Sequence, residues 1–439
     1  MKNLDVEKKV GIEVYLTKTP GINGKLRTNP RDFIVKEIPK HPCRGEYGVF
    51  TIAEITSENW ETNLLVRELS KKLHISRKRI GFAGTKDKRA QTTQLMSFYR
   101  VPQDKLLQVK IKDVFIENIY YSDHPVRIGE LLGNHFNIII RDIDKRNDVE
   151  ECVRDTVLTI TQTGGFPNFY GIQRFGIIRP INHIVGKHIV HGDFEKAVMS
   201  YIANPITTED KASYETRKKL QKTYNFQEAL KSYQKQQSLV FEKAILNKLV
   251  NKPKDFVEAL KELPTNLLTM FVYAYQSYIF NKILSERIKR KLPLNKAIIG
   301  DIVLPIRKNI TDKKGIMVKK SNIDKINKQI EKGKALISGL IPGYNPVYAE
   351  NEMGEIEHKI VEQEKLEHKD FIIPEIPHLS SSGSRRILLS PLRHIEWKIY
   401  DDNLNDGKLA LNLKFNLQKG CYATSLLREF MKTKDIKNY

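Results

Sequence analysis

Hydrophobic side chains recur with helical spacing at two places in the first 165 residues. The two stripes are Leu65, Leu69 and Leu73, and Val149, Val153, Val157 and Ile160. Apolar residues three or four positions apart lie on one face of a helix, so each stripe predicts a helix with one buried side. Asn147 is a suitable N-cap for the second helix, and Gly164 is a suitable residue to end it.

Alternation of apolar and polar positions predicts strands near both ends of the chain. The predicted strands are 79–83, 92–99, 135–140 and 409–417. The last is the most regular, because leucine or phenylalanine occupies every second position after the turn signal Asn405-Asp406-Gly407. We expect this strand to complete a sheet formed by the N-terminal strands rather than to begin another domain.

The pattern changes at about residue 181, where long helical stretches begin. Residues 267–280 are apolar nearly all round, which predicts a buried core helix. Lysine-dense stretches follow at 313–314, 319–320 and 325–334. Such stretches are usually solvated surface, although together they could also follow a phosphate backbone. The middle region is therefore predicted to have its own core and a basic exterior.

Length and charge narrow the class of protein. A chain of 439 residues exceeds one ordinary core, which predicts two domains. Lysine and arginine total 74 against 52 aspartates and glutamates, and a net charge of +22 favours a polyanionic partner. The alternative is a generally basic surface without a specific ligand. No apolar run is long enough to span a bilayer and the lysine-bearing start is no signal peptide, so no membrane association is expected.

The cysteines and histidines do not suggest a metal site. The cysteines are Cys43, Cys152 and Cys421. They are far apart and form no Cys-x-x-Cys pair, which excludes a disulfide framework and a thiolate zinc site and suits the cytoplasm. His183, His188 and His191 come closest to a cluster, but their spacing does not place three rings on one helix face. We interpret these histidines as polar surface or RNA-contacting residues.

Asp87 is the most distinctive polar residue of the chain. It stands among the cations Lys86, Lys88 and Arg89, on a loop between two predicted strands. Surrounding cations favour the ionised form of an aspartate and attract an anionic substrate, so Asp87 is a candidate reacting group. The alternative is a solvated loop whose aspartate only pairs with its own lysines.

Three further segments, taken with residues 81–94 in this order and spacing, give a specific resemblance. They are 29–37 (NPRDFIVKE), 167–176 (PNFYGIQRFG) and 420–429 (GCYATSLLRE). Together they resemble the TruD family of pseudouridine synthases, and the resemblance covers the chain from about residue 27 to 431. Residues 133–136 and 274–281 extend it. The family isomerises a uridine in RNA, typically uridine 13 of tRNA.

The resemblance implies an α+β fold with a discontinuous catalytic domain. That domain has a mixed, mainly antiparallel sheet with flanking helices, and it is expected to comprise residues 1–180 and 385–439. Residues 181–384 are expected to form an inserted, helix-rich α/β TRUD domain that is basic and binds RNA. The implied partner is tRNA, with no protein partner implied.

The resemblance also assigns roles around Asp87. Asp87 matches the catalytic aspartate of the family, which either attacks C1′ as a nucleophile or removes the C2′ proton as a base. Arg27 matches the basic residue that pairs with this aspartate, often a lysine in the family. Lys86 is the competing partner, but a neighbour in sequence does not easily face the aspartate, so Arg27 is preferred.

Four residues match the pocket that holds the flipped uridine. Phe33 and Tyr422 would stack on a base, and plain core packing is the alternative for both. Asn168 would read the uracil edge through its amide, and Tyr170 would lie beside the flipped uracil.

Isomerising uridine requires no cofactor, because the N1–C1′ bond is broken and the uracil is rejoined through C5 without any change of oxidation state. The sequence accordingly contains no dinucleotide fingerprint, metal cluster or nucleotide-binding loop. We expect neither a cofactor nor a metal. The competing functions are a non-catalytic basic RNA-binding protein, a pseudouridine synthase for another RNA site, and a methyltransferase, which would need a glycine-rich loop that is missing.

Overall fold

The computed structural model describes residues 3–86, 88–176, 178–206, 209–234, 239–307, 310–312, 314–392 and 394–433. The predicted catalytic residue, Asp87, lies outside the described residues. The chain divides into two compact units. The first, here called the sheet unit, consists of Tyr15–Phe166 and Ser390–Tyr439, and the second, the helical unit, consists of Met1–Val14 and Pro167–Leu389.

The strands of the described residues lie in both units. They are β1 (Phe33–Pro39), β2 (Phe50–Glu58), β3 (Ile80–Phe82), β4 (Gln91–Tyr99), β5 (Val114–Ser122), β6 (Leu131–Asp144), β7 (Gly165–Pro167), β8 (Ile302–Arg307), β9 (Ile310–Thr311), β10 (Ile316–Met317), β11 (Ala335–Ile341), β12 (Ser384–Ile387), β13 (Leu389–Pro391), β14 (Ile395–Asp401) and β15 (Lys408–Gln418). The chain passes from one unit to the other within β7 and β13.

Most of the α-helices belong to the helical unit. The helices are α1 (Asn3–Lys9), α2 (Thr62–Leu73), α3 (Gln103–Leu107), α4 (Val149–Thr163), α5 (Asn182–Val190), α6 (Phe194–Ile202), α7 (Lys211–Thr223), α8 (Phe226–Gln234), α9 (Val240–Asn251), α10 (Phe256–Lys261), α11 (Thr265–Lys289), α12 (Ile323–Glu331), α13 (Asn351–Gln363) and α14 (Ala423–Met431). No helix among the described residues is long and apolar enough to cross a membrane.

The sheet unit is built on one eight-stranded sheet whose main order is β14-β15-β6-β1-β4-β2-β5, with β3 beside β4. The β1–β4 pair is parallel, and the other pairs are antiparallel. The predicted mixed, mainly antiparallel sheet is therefore confirmed. The strand predicted at 409–417 is β15, which pairs with β6 and β14, so its predicted place in the N-terminal sheet is confirmed.

Helices cover one face of this sheet where the apolar periodicity predicts them. Leu65, Leu69 and Leu73 of α2 are fully buried against β2 and β4. Helices α4 and α14 share a core with the inward side chains of β1, β6 and β15. The N-cap of α4 is Asp148 and not the predicted Asn147, because the carbonyl of Asp148 already accepts the first helical hydrogen bond, from Cys152. The helix ends at Gly164 in the left-handed conformation, as predicted.

The helical unit has its own core around α11. Its inward residues include Phe271, Tyr275, Ile279 and Phe280, which are fully buried, so the predicted core helix is confirmed. A second, antiparallel sheet runs in the order β10-β8-β11-β12, with β9 beside β8. The predicted site residues of this unit are Asn168, which bonds to β12 of this sheet, and Tyr170, which bonds to α11.

Candidate active site

The loop that carries Asp87 is held by hydrogen bonds from the residue before it. The backbone N–H of Lys86 donates to the Thr62 hydroxyl at 2.7 Å, and its ammonium lies 2.8 Å from a Glu37 carboxylate oxygen. Both side chains of this ion pair are buried, with 8% and 1% of their surface exposed. The Lys86 ammonium is therefore held in a buried ion pair with Glu37.

Both acids of the segment 29–37 have structural partners. Glu37 lies on the same inward face of β1 as Phe33 and Val35, because side chains alternate along a strand. Asp32 accepts a hydrogen bond from the buried Arg141 guanidinium at 2.8 Å, and its other oxygen accepts the backbone N–H of Asn29. These contacts fix both ends of β1. The ion pair between Glu37 and Lys86 also ties β1 to the residue that precedes Asp87.

Arg27 and Phe33 lie together in the sheet unit. The Arg27 guanidinium carbon is 4.3 Å from the centre of the Phe33 ring, and the Arg27 carbonyl accepts a hydrogen bond from Arg89 at 3.2 Å. Arg27 adopts a left-handed backbone conformation, with φ of 57°. Phe33 is only 4% exposed and packs edge-on against Phe136. A base can stack on Phe33 only if the Arg27 guanidinium shifts.

Tyr422 is the accessible aromatic residue of the predicted set in this unit. It lies four residues after the end of β15 and is the N-cap of α14, where its carbonyl accepts the N–H of Ser425 at 3.1 Å. Its side chain is exposed, with 36% of its surface accessible. An exposed ring at the N-cap of a helix is accessible to a base.

Asn168, in the helical unit, is fully buried and its amide is engaged by protein groups. Its Nδ2 donates to the carbonyl of Ile387 at 3.1 Å, and its Oδ1 accepts from Arg386 at 2.8 Å. Its backbone N–H also donates to the carbonyl of Leu388. In this arrangement Asn168 holds the guanidinium of Arg386 in place.

The same guanidinium covers the ring of Tyr170. The Arg386 guanidinium carbon lies 4.1 Å from the ring centre, and that of Arg174 lies 5.5 Å away. The Phe280 ring meets Tyr170 edge-on. Asn281 fixes the backbone of Tyr170 on both sides, because its amide accepts the Tyr170 N–H at 2.9 Å and donates to the Tyr170 carbonyl at 3.0 Å. Arg386 thus joins the predicted residues Asn168 and Tyr170.

The helix that carries Asn281 is anchored by further polar contacts. Gln276 of α11 donates to the carbonyl of Pro342 and to the hydroxyl of Ser381. Glu364 accepts hydrogen bonds from Lys187 at 2.8 Å and Lys282 at 3.3 Å. Burial opposes ionisation of Glu364, but these two cations hold its pKa below the ordinary value. The backbone around Tyr170 is therefore positioned by a rigid helix.

His183 does not lie at the surface, so that interpretation was wrong. It is 7% exposed, stacks on Tyr278 and meets Phe175 edge-on. Burial lowers its pKa to about 4, because the protonated ring would lose its hydration. His183 is therefore a neutral core residue, and its apolar neighbours could not be identified from spacing alone.

Sequence reasoning missed two residues that organise these two regions. Glu37 could have been found, because it lies four residues after Phe33 in a strand and must share its inward face. Arg386 gave no such signal, since it follows another arginine and both side chains of such a pair are usually surface groups. Among the described residues, no group of three or more histidine, cysteine, aspartate or glutamate side chains is placed to hold a metal ion.

Comparison with known proteins places the chain in a family. The family model described as tRNA pseudouridine synthase D (TruD) matches residues 9–430. A protein of Methanococcoides burtonii named "Probable tRNA pseudouridine synthase D" is 44% identical over 437 residues, covering 99% of this chain and 98% of that protein. A protein of Pyrococcus furiosus with the same name is 36% identical over 425 residues, covering 96% and 99%.

A solved structure agrees with these sequence matches. The crystal structure of a Methanosarcina mazei protein described as "Putative tRNA pseudouridine synthase D (TruD)" superposes with a TM-score of 0.89 and 39% identity, and the match covers 99% of both chains. The chain therefore belongs to the TruD family of tRNA pseudouridine synthases.

Proposed function

We propose that this protein converts uridine to pseudouridine in tRNA, at position 13, with Asp87 as the catalytic residue. The observation that carries the proposal is the family match over residues 9–430, which includes Asp87 and every predicted substrate-binding residue. A cytoplasmic location fits an enzyme whose substrate is tRNA. No cofactor is needed for the chemistry, so added chelators should leave the chemical step unchanged.

The reaction is an isomerisation in which one bond to C1′ replaces another. The N1–C1′ bond of the uridine breaks, the uracil turns, and C5 bonds to C1′. The C5 proton then leaves, and N1 gains a proton. Asp87 acts either as a nucleophile at C1′ or as the base that removes the C2′ proton, and both routes need an ionised carboxylate. The anchoring of Lys86 to Glu37 supports this role, because it fixes the residue next to Asp87.

The proposed substrate-binding roles take account of how exposed each side chain is. Tyr422 is proposed to stack on a base of the RNA, since its side chain is exposed. Tyr170 is proposed to lie beside the uracil, with Arg386 fixing its ring. Phe33 is proposed to contact the uridine as the family resemblance implies, after the Arg27 guanidinium shifts from its ring. Asn168 is proposed to contact the uridine while its amide oxygen keeps the hydrogen bond to Arg386. Arg27 is proposed to pair with Asp87.

Asp87→Asn should abolish pseudouridine formation and leave tRNA affinity nearly unchanged. The amide keeps the shape and the hydrogen-bonding capacity of the side chain but removes the charge that reacts. Tritium release from C5-labelled uridine in tRNA, measured beside a binding assay on the same preparation, tests this. Turnover close to that of the parent protein would remove Asp87 from the mechanism, whereas turnover by neither protein would favour a non-catalytic RNA-binding role.

The position of the target is a separate question. Mapping pseudouridine in tRNA treated with the purified protein should show a single new site at position 13. Modification at another uridine would leave the reaction intact but change the substrate.

The division of labour along the chain is also proposed. Chemistry is assigned to the catalytic domain formed by both ends of the chain, and RNA binding to the inserted region 181–384. The lysine-dense stretches after α11 support the second assignment, since contacts to phosphate come mainly from lysine and arginine.

A further inference from the structure

A set of exposed lysines on and around α12 lacks carboxylate partners. This set, here called the lysine face, consists of Lys319, Lys320, Lys325, Lys328, Lys332 and Lys334, all of which are exposed. None of them forms an ion pair with any residue in the part of the chain that the structure describes. Their ammonium groups are therefore available to an external anion.

Three exposed lysines elsewhere in the helical unit do have carboxylate partners. Lys196 pairs with Asp193 at 3.0 Å, Lys261 with Glu258 at 2.7 Å and Lys369 with Glu367 at 2.7 Å. These three are as accessible as the lysine face, because between 41% and 76% of each side chain is exposed. These three lysines therefore provide matched controls whose charge is already paired.

The geometry of α12 gathers the charge on one side. Lys325, Lys328 and Lys332 are three and four positions apart, so they lie on the same face of the helix. Ile326 and Ile330 are buried on the opposite face. Like charges at this spacing repel one another, so an anion bound to this face would stabilise the helix.

The helix that presents these lysines is held rigidly. Asn327 accepts the N–H of Ala297 at 2.8 Å and donates to the Ala297 carbonyl at 3.2 Å. The buried side of α12 packs on the sheet through β11, and β11 pairs with β12, where Arg386 lies opposite Gly339. The lysine face is therefore fixed on the same sheet as the residue that holds Asn168 and Tyr170.

We propose that the lysine face binds the phosphate backbone of the RNA substrate, an inference that rests on the proposed function. Three or more unpaired ammonium groups in a row fit a polyanion with regularly spaced charges, and lysine contacts of this kind carry no base specificity. The face should therefore contribute affinity and orientation and leave the choice of uridine to other residues.

The test compares two triple variants of the full-length protein that lose the same charge. The first carries Lys325→Gln, Lys328→Gln and Lys332→Gln. The control carries Lys196→Gln, Lys261→Gln and Lys369→Gln, which removes lysines that already have partners. Circular dichroism of both variants establishes that they fold. Affinity for tRNA is then measured from 50 to 200 mM salt, together with KM and kcat for pseudouridine formation.

The lysine-face variant should lose about 2 from the slope of log affinity against log salt, because each phosphate contact contributes roughly 0.7–0.9. Between 50 and 200 mM salt, the tRNA affinity of the parent should therefore fall about 16-fold more than that of the variant. The effect should lie in KM, with the same uridine modified, and the control should keep the parental slope.

Equal slopes for the two variants would overturn the proposal. Binding of the parent, but not of the lysine-face variant, to phosphatidylserine vesicles with unchanged tRNA affinity would also overturn it, because the partner would then be a lipid surface. Failure of the parent to form pseudouridine in tRNA would instead count against the proposed function, so the two failures are distinguishable.

Discussion

The buried ion pair between Lys86 and Glu37 gives the most direct test of how the Asp87 loop is held. Glu37→Gln leaves the Lys86 ammonium buried without a counter-charge, while the amide oxygen can still accept a hydrogen bond. Removing one partner of a buried pair costs about 3–5 kcal/mol, and the retained hydrogen bond places the expected loss near the lower end. The sheet unit should therefore be destabilised by about 3 kcal/mol.

The two tryptophans make this loss measurable in one unit. Trp60 and Trp397 are the only tryptophans of the sequence, and both lie in the sheet unit, so their fluorescence reports its unfolding. For a unit of about 200 residues, a loss of about 3 kcal/mol corresponds to roughly 6–12 °C in midpoint temperature. If Asp87 is the reacting group proposed above, turnover should also fall by on the order of 10–100-fold, because a displacement of about 1 Å at a reacting group has effects of that size.

A matched control lies in the same sheet. Lys36 pairs with Glu54 at 3.3 Å, but 57% of the Lys36 side chain is exposed, so Glu54→Gln should cost less than about 1 kcal/mol. The double variant Glu37→Leu with Lys86→Met should regain most of the stability, because it leaves no unpaired buried charge. It should not regain the turnover, because the loop still lacks the ion pair that holds it. Equal effects of Glu37→Gln and Glu54→Gln would refute this reasoning.

Two further variants test the helical unit. Arg386→Gln removes the cation over Tyr170 and the charged hydrogen bond to Asn168, which together contribute about 2–3 kcal/mol. Single-turnover pseudouridine formation should therefore slow at least tenfold. Arg386→Lys should not restore the rate, because one ammonium cannot contact both partners. Full activity of the lysine variant would contradict this role. The folded pKa of His183, about 4, lies below its unfolded value of about 6.5, so its contribution to stability is complete above pH 6.5 and is lost as pH falls toward 4, by up to about 3 kcal/mol. His183→Phe should lessen the loss of stability between pH 7 and pH 4.5 in urea unfolding followed by circular dichroism, and parallel pH profiles for the two proteins would show that His183 carries no such linkage.

The hydrophobic patterns predicted the main helices and strands well, because each pattern depends only on the residues of one element. The stripe of α2 and the alternation of β15 each indicate which side of the element is buried, and the apolar run within α11 indicates a helix in the core. The start of α4 was misplaced by one residue, because cap position depends on which carbonyl accepts the first helical bond. The partners of Asn168 were not predictable, since Arg386 is 218 residues away and the pairing exists only once β12 is in place.

The predicted roles of single residues depended on exposure, which the sequence does not report. Phe33 and Tyr422 matched the same kind of pocket position, yet Phe33 is buried under Arg27 and Tyr422 is exposed. Likewise, the lysines near Asp87 look equivalent in sequence, but Lys86 is buried in an ion pair. Such differences arise from tertiary contacts that no local pattern encodes.

The place of β15 in the sheet has a consequence for how the protein is made. During translation β6 is complete at residue 144, but its neighbour β15 is complete only at residue 418. At roughly 5–20 residues per second the edge of β6 waits about 15–55 s for its partner. A long unpaired strand is prone to pair with other chains. The helical unit, whose last residue is Leu389, can fold during that interval. A ribosome that stalls after residue 389 should therefore release a chain with one finished unit and one aggregation-prone edge.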